Sequence, residues 1–509
     1  MTTDTSQAPL SGGMLWLAAF LLAAANFVVV LDTTIANVSV PTIAGGLAVS
    51  SSQGTYVITS YAVAEAVSVP LTGWLASRFG TVRVFVTAMI LFGVCSVLCG
   101  LAGSLGTLVA FRVLQGLAGG PLMPLSQTLL LRIFPKEKVG AAIGLWSMTT
   151  LIAPIMGPIL GGILCDHVGW PSIFFINAPI ALVCGYFGWR MLRRYESALL
   201  KTRIDGIGLA LMVVWVAALQ ILLDEGKNQD WFASEEIVAL AIVAAIGFVA
   251  FLIWELTERQ PVVDLRVFRH RGYSVSVLTI SLAFGSFFGA TVLTPLWLQS
   301  YMGYTATEAG YATAMSGILA VLVAPLAAKL SSSMDPRPLV FCGVMWLGGV
   351  TLFRSFSTSD MSFWQVALPL LFQGIGMPFF FVPLTGLALG SVTEAETASA
   401  AGLMNFMRTL SGAFATSLVN TSWEDRATLN RSDLAGVVDQ GGEMMARLTD
   451  TGLDGGTARH LVDQLVQAQS IMLSTNQIFW LSGLSFVAAA MVIWLAPRPS
   501  RVADTSVAH

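Results

Sequence analysis

The sequence predicts an all-α polytopic membrane protein, and three observations predict it. Of its 509 residues, 55% are hydrophobic and 11% are charged, whereas soluble domains carry about 25% charged residues. The mean hydropathy is +0.76. Apolar runs long enough to cross a ~30 Å hydrocarbon core recur along the whole chain, and the basic residues fall in alternate gaps between them.

Fourteen runs of spanning length can be placed: 14–38, 55–76, 84–102, 107–131, 139–165, 171–192, 204–223, 235–256, 274–300, 308–330, 338–356, 362–390, 397–422 and 475–496. An even number puts both termini on one side. Of the 26 Lys and Arg residues, 18 lie in gaps or at run ends on the N-terminal side and 6 on the opposite side, Arg354 among the latter. Arg112 and Arg408 complete the set, inside runs. The positive-inside rule therefore places both termini in the cytoplasm. Met1–Gly13 contains no Lys or Arg and precedes a run of full spanning length, so the first run is expected to be a retained helix, not a signal peptide.

Residues 192–203 and 256–273 are basic cytoplasmic linkers. They set apart the runs 204–223 and 235–256, which are short of intramembrane polar groups. On the outer side, 423–474 holds eight acids against four arginines. A polar segment of that length without a spanning run is functional or disordered as a rule, although 457–470 has helical periodicity in Leu461, Leu465, Val466 and Gln469.

A faint internal repeat accompanies this pattern. Gln115-Gly116 precedes Pro121 and Pro124 in the fourth run, and Gln373-Gly374 precedes Pro378 and Pro383 in the twelfth. This fits two six-helix halves related as parallel repeats. The expected organisation is a cytoplasmic tail 1–13, an N-terminal six-helix bundle 14–203, a two-helix insert 204–256, a C-terminal bundle 257–497 containing the outer segment 423–474, and a cytoplasmic tail 498–509.

Several function classes are excluded. The five cysteines form no CxxC or Cys/His ligand spacing and read as small packing residues, so no metal site is expected. No Walker A motif, zinc spacing or nucleophile elbow is present, so neither ATP-driven work nor catalysis is expected. No basic stripe with interleaved aromatics supports nucleic-acid binding. A sensor or membrane enzyme would need a soluble domain or a catalytic constellation, and the chain offers neither.

Four ionisable residues away from the run ends are the leading functional candidates, because a charge at the bilayer centre costs about 2.5–3.5 kcal/mol on insertion scales. Asp32 lies ~27 Å along the outward-running first helix, at 1.5 Å per residue. Arg112 lies ~8 Å into the inward-running fourth. The two share a level in the outer half, and a carboxylate beside a guanidinium is the least costly way to hold both in low dielectric. Such a pair is either a proton site or a structural ion pair. Glu65 and Arg408 fall near the midplane, where two-bundle transporters bind substrate. Desolvation and a nearby arginine pull a carboxyl's proton affinity in opposite directions, so a Glu between the two influences can exchange a proton, or serve only as a water-lined polar residue. Gln115, Gln373 and Asn405 are the accompanying polar candidates for the cavity or bundle interface.

Ala153, Gly157 and Gly161 are spaced by four and form one flat helix face for close approach. Pro154 and Pro158 within it remove backbone hydrogen bonds and argue for a hinge or a tight gasket. The turn Gly73-Trp74-Leu75-Ala76-Ser77-Arg78-Phe79-Gly80-Thr81-Val82-Arg83 combines a permissive Gly80 with Arg78 and Arg83 facing the anionic leaflet.

Taken together, Gly73–Arg83, Arg112-Val113-Leu114-Gln115-Gly116 and Gly157-Pro158-Ile159-Leu160-Gly161-Gly162 resemble the three signature motifs of the major facilitator superfamily, the third being its antiporter motif. Leu31-Asp32-Thr33-Thr34-Ile35-Ala36-Asn37 resembles the first-helix signature of the fourteen-helix drug:proton antiporters of that superfamily. The likeness extends through Trp254-Glu255-Leu256-Thr257, Asn405-Phe406-Met407-Arg408-Thr409-Leu410 and the long outer segment. Two departures stand out: Ser77 replaces the usual Asp of the first motif, and Ala153 replaces the usual first Gly of the third.

The resemblance implies the major facilitator fold and proton-coupled export of hydrophobic toxic compounds by a bacterial inner-membrane protein that needs no cofactor beyond the proton gradient. It also implies a periplasmic membrane-fusion adaptor and an outer-membrane channel as partners, with Arg112 in proton transfer and Gly157–Gly162 sealing against leak. The alternative on the same fold is a narrow-specificity metabolite exporter or an uptake carrier.

Overall fold

Proline and glycine set where the helices break. A computed structural model describes residues 12–49, 51–135, 138–197, 199, 205–441, 448 and 454–498. The expected second span is two helices, α2 (Tyr56–Ser68) and α3 (Thr72–Phe79), parted at Pro70, which has no N–H to give to the helix ladder. The fourth is likewise split into α5 (Leu105–Gly119) and α6 (Leu122–Ile133) at Gly120–Pro121. The N-terminal half is completed by α1 (Gly12–Gly46), α4 (Thr81–Gly100), α7 (Val139–His167) and α8 (Asn177–Leu192). Next come the pair α9 (Gly206–Glu225) and α10 (Glu235–Thr257). The C-terminal half comprises α11 (Arg271–Tyr301), α12 (Ala306–Ser333), α13 (Pro336–Arg354), α14 (Phe363–Gly390), α15 (Thr397–Gly441) and α16 (Gly455–Val492).

Among the described residues, 11 helices are long and apolar enough to cross a membrane. The other expected spans, 55–76, 139–165 and 397–422, coincide with α2–α3, α7 and the first half of α15. Consecutive spans, with α2–α3 and α5–α6 each counted as one, run in opposite directions, so the turns fall on two faces, called here the Gly80 side and the Ser104 side.

Packing within each half follows a common plan. In the N-terminal half, α1 lies against α7, α8 and α6, α4 against α8 and α5, and α2 against α5. In the C-terminal half, α11 lies against α15, α16 and α14, α13 against α16 and α14, and α12 against α14. The sequence repeat falls at equivalent joints. A Cβ on Gly116 would lie 2.5 Å from the Tyr61 carbonyl of α2, and one on Gly374 would lie 2.1 Å from the Ser316 carbonyl of α12. Only glycine permits either approach.

The halves meet through α12 and α14 against α7 and through α15 against α3 and α6. The pair α9–α10 packs mainly on itself, and α9 also rests on α2 and α15. Its anchors are a hydrogen bond from Ser417 Oγ to the Leu223 carbonyl (2.9 Å) and one from Trp231 Nε1 to Thr421 Oγ1 (3.1 Å).

Residues 423–441 and 455–474, expected as a polar outer segment, continue helices. α15 has 45 residues and α16 has 38, roughly 68 and 57 Å at 1.5 Å per residue, so both overrun a ~30 Å core. The overrun forms an antiparallel hairpin on the Ser104 side. Small and β-branched residues, Ala427, Ala458, Val462 and Val466, are buried between its arms, while the described residues Glu424, Asp425, Arg431, Asp433, Arg459 and Asp463 are exposed. Trp423 Nε1 donates to Thr475 Oγ1 (3.0 Å), Asn430 Nδ2 to Ser474 Oγ (2.9 Å) and Arg431 Nη2 to Asp463 Oδ1 (2.6 Å). High charge with a thin apolar stripe defeats a hydropathy scan but is sufficient for two helices that need to bury only one face each. The tip, 442–447 and 449–453, lies outside the described residues.

Candidate functional site

A continuous polar network crosses five helices of the N-terminal half, α1, α2, α4, α5 and α8. The helix α5 starts at a capping box between Ser104 and Thr107, which fixes where Arg112 stands two turns later. Its Nη1 donates to Asp32 Oδ2 on α1 at 2.6 Å and to Gln115 Oε1 at 2.9 Å, and its Nε donates to the Val57 carbonyl of α2 at 3.0 Å. The second carboxylate oxygen of Asp32 accepts from Gln115 Nε2 (3.1 Å) and from Asn177 Nδ2 on α8 (2.6 Å). Asn177 is itself held by Ser96 Oγ of α4 (3.0 Å), and Cys99 Sγ donates to Gln115 Oε1 (3.4 Å). The guanidinium lies 4.2 Å from the centroid of the Tyr61 ring.

Asp32 is 2% exposed, and Arg112, Gln115 and Asn177 are fully buried. The ion pair is therefore enclosed, yet every charge faces a charged or hydrogen-bonding partner, which is the condition under which a buried pair is tolerated. Spacing in the sequence placed Asp32 and Arg112 at one level. It did not single out Asn177, Tyr61 or Ser96, because neutral polar residues in apolar runs carry no comparable signal.

The antiporter-motif face packs on α1 just beyond Asp32. A Cβ on Gly157 would lie 2.2 Å from Thr34 Oγ1, and one on Gly161 would lie 3.4 Å from the Ile35 carbonyl. Thr34 Oγ1 also donates to the Ala153 carbonyl (3.3 Å). Gly162 points to open space, with nothing within 4 Å of a Cβ there. The side chains of Pro154 and Pro158 lie outside the described residues. This small face thus joins α7 to the Asp32 helix, and α7 meets the C-terminal half elsewhere, for example at Gly144, where a Cβ would lie 3.0 Å from Ala328 Cβ of α12.

The midplane candidates gather at the joint between halves. Asn405 Nδ2 on α15 donates to Gln127 Oε1 on α6 at 2.7 Å, a direct hydrogen bond from one half to the other. Arg408, 4% exposed, directs Nη2 at Met123 Sδ of α6, lies 5.2 Å from the Phe284 ring centroid and leaves its buried Nε without a partner among the described residues. Glu65 is half-buried on α2. It lies within electrostatic reach of Arg408 but forms no ion pair with it. A cation supplied with a thioether and a ring face, beside a carboxylate not yet in contact, is free to change partner.

In the loop motif, Gly80 takes φ +97°, a conformation that strains any L side chain. Glu196, from the segment after α8, caps the start of α4 by accepting from the Val82 N–H (2.9 Å) and the Arg83 N–H (3.1 Å), where the helix dipole favours an anion. Arg83 stands 3.9 Å from the same carboxylate, Arg78 is exposed, and Ser77 Oγ turns back to the Trp74 carbonyl (2.9 Å). Gly73 seats α3 on α15, where a Cβ would lie 2.1 Å from Ser399 Oγ.

Gln373, the repeat partner of Gln115, is also buried and also accepts from an arginine, here Arg354 Nη1 of α13 at 3.3 Å. Arg354 was counted among the outer loop charges in the sequence. It is instead 5% exposed, donates from Nη2 to Thr294 Oγ1 of α11 (2.6 Å) and lies 4.1 Å from the Phe479 ring centroid.

Comparison with known proteins agrees with this architecture. The profile of the Major Facilitator Superfamily matches residues 22–416. The chain is 44% identical over 497 residues to the multidrug export protein EmrB of Haemophilus influenzae, covering 96% of this chain and 97% of that one. It is 41% identical over 495 residues to the fatty acid resistance protein FarB of Neisseria gonorrhoeae, covering 96% and 98%. Among solved structures, the proton:xylose symporter XylE aligns with a TM-score of 0.58 at 14% identity, covering 95% and 96%, a likeness of fold alone. The chain belongs to the Major Facilitator Superfamily, among its EmrB-type members.

Proposed function

We propose that this transporter exports hydrophobic or amphipathic toxic compounds across the bacterial inner membrane in exchange for protons, by alternating access of its two halves. The observation that carries the reading is the enclosed Asp32–Arg112 pair, tied to α1, α2, α4, α5 and α8 at once. In this reading both termini are cytoplasmic, fourteen helices span the membrane, and the Ser104 side faces the periplasm. A proton reaching Asp32 from that side neutralises the carboxylate and strips Arg112 of its counter-charge. Arg112 keeps only the Gln115 and Val57 oxygens, so the registry of α5 against α1 and α2 loses its strongest link. Release of the proton restores the pair. Glu65 and Arg408 are the partners that meet in one state and part in the other, next to the Asn405–Gln127 bond that joins the halves. The free energy comes from the proton gradient alone. The antiporter-type face on α7 favours export over the alternative, a narrow-specificity or uptake carrier on the same fold.

The hairpin formed by α15 and α16 is the docking surface for a periplasmic adaptor that leads to an outer-membrane channel. Its projection beyond the core on the Ser104 side supports that reading. Replacing 423–474 with a short linker is expected to abolish co-purification with an adaptor, and retained co-purification together with retained resistance would exclude the hairpin as the docking site.

The export reading is tested with a drug-susceptibility panel on a strain lacking the gene, followed by accumulation of the compounds the panel identifies. Lower resistance with higher accumulation is expected. Lower accumulation would establish uptake instead.

A further inference from the structure

Arg354 differs from the other buried arginine at this end of the molecule in one respect: no carboxylate among the described residues pairs with it. Its hydrogen bonds run to neutral oxygens, Gln373 Oε1 and Thr294 Oγ1. A guanidinium is never neutral at physiological pH, and a buried charge without a counter-charge is costly. Beside it lies a cleft of about 60 Å³ between the ends of α13, α14 and α11. A single water needs about 10–15 Å³ by the same measure, so the cleft admits a head group of several heavy atoms. Its polar lining is Arg354, Ser357 and Gln365, and its other walls include Trp297, Met361 and Pro369. Phe353 and Phe356, 65% and 80% exposed, stand at its mouth and continue the apolar surface outward. A buried cation beside a small cleft, with an exposed apolar exit, has the form of a receptor for a charged head with a hydrocarbon tail.

We propose that this cleft binds the carboxylate or phosphate head group of an amphiphilic anion, with Arg354 supplying the missing charge partner. The head accepts from Arg354 and from the amide Nε2 of Gln365, whose Oε1 is taken by Ser362, and the tail leaves past Phe353 and Phe356. An arginine suits both head groups because its planar fork can donate in pairs to either. The site is separate from the Asp32–Arg112 network and from the joint between halves. Its test is a binding measurement, independent of whether transport is coupled to protons.

The full chain, purified in neutral detergent, is titrated with laurate and with dodecanol, which share a tail and differ in charge. Native mass spectrometry compares adducts of phosphatidylglycerol and phosphatidylcholine. Arg354→Gln is expected to weaken laurate, phosphatidylglycerol or both at least tenfold and to leave dodecanol and phosphatidylcholine unchanged. Selective loss of laurate identifies a free amphiphilic acid as occupant, and selective loss of phosphatidylglycerol identifies a membrane lipid. Gln365→Glu keeps the acceptor that closes the Ser362 capping box on α14 but puts a negative charge on the cleft. It is expected to reproduce the selective loss with an unchanged melting curve, which covers the case in which Arg354→Gln fails to fold. Anion binding equal to wild type in the folded variants, or a parallel fall in dodecanol binding, would overturn the proposal.

Discussion

The two halves place a buried arginine beside a glutamine at the same end of the bundle, and they treat its charge in opposite ways. In the N-terminal half, Arg112 is closed by Asp32 at 2.6 Å and the network is neutral as a whole. In the C-terminal half, Arg354 has come from the neighbouring helix, meets Thr294 where the first half has Asp32, and remains a net charge beside a cleft. The glutamine carbonyl is the common element. It accepts from Cys99 and Arg112 in one half and from Arg354 in the other. A duplicated frame therefore keeps its backbone joints, Gly116 and Gly374, while the polar groups hung on it diverge. In our proposal, the carboxylate within the pair makes the first site one that can take up a proton. Its absence makes the second a place where an anion matters.

The largest expected contrast is in stability. Arg112→Gln leaves the Asp32 carboxylate buried without its cation and is expected to cost about 3–5 kcal/mol. Arg354→Gln removes an unpaired cation and orphans no acid, so its melting temperature in detergent is expected to equal or exceed wild type. Equal losses in the two variants would show that the halves do not differ in this way. The double variant Asp32→Asn/Arg112→Gln is expected to recover part of the loss of Arg112→Gln, since no lone charge remains.

Next in size is the backbone joint, where the halves should agree. Gly116→Ala and Gly374→Ala each push a methyl group against a carbonyl of the facing helix and are each expected to cost about 1–3 kcal/mol, read from thermal unfolding. A large effect in one and none in the other would break the repeat.

A smaller effect is expected at the bond between halves. Asn405→Ala removes the Gln127 contact, worth about 1 kcal/mol, and is expected to change transport rate severalfold with little change in melting temperature. The smallest is Glu196→Gln at the start of α4, about 0.3–1 kcal/mol from the loss of an anion at a helix N-terminus.

Much of this was legible in the sequence, for identifiable reasons. Apolar runs and alternating basic gaps specify the helices because lipid tolerates few other backbones. The level shared by Asp32 and Arg112 follows from a fixed rise per residue, and the cost of a lone charge makes each conspicuous. Arg354 escaped because it lies within two residues of the end of its run, next to Ser-Phe-Ser, so that it reads as a loop charge. Only the tertiary fold of α11 and α16 over it shows that it is buried. Asn177 and Gln127 escaped because a neutral amide in an apolar run looks the same whether it binds a carboxylate, another helix or water. The arm 423–441 escaped, and the arm 455–474 was legible only as the helical periodicity of 457–470, because their buried stripe is too thin to raise the mean hydropathy of a window.

The central claim is that the Asp32 carboxylate carries the coupling proton. The measurement that tests it most directly is proton release on addition of substrate to proteoliposomes containing a pH-sensitive dye, comparing wild type with Asp32→Asn in preparations matched for folding and for substrate binding. If Asp32 carries the coupling proton, wild type releases protons and Asp32→Asn releases none above the empty-liposome level. Release by Asp32→Asn at the wild-type rate would contradict it.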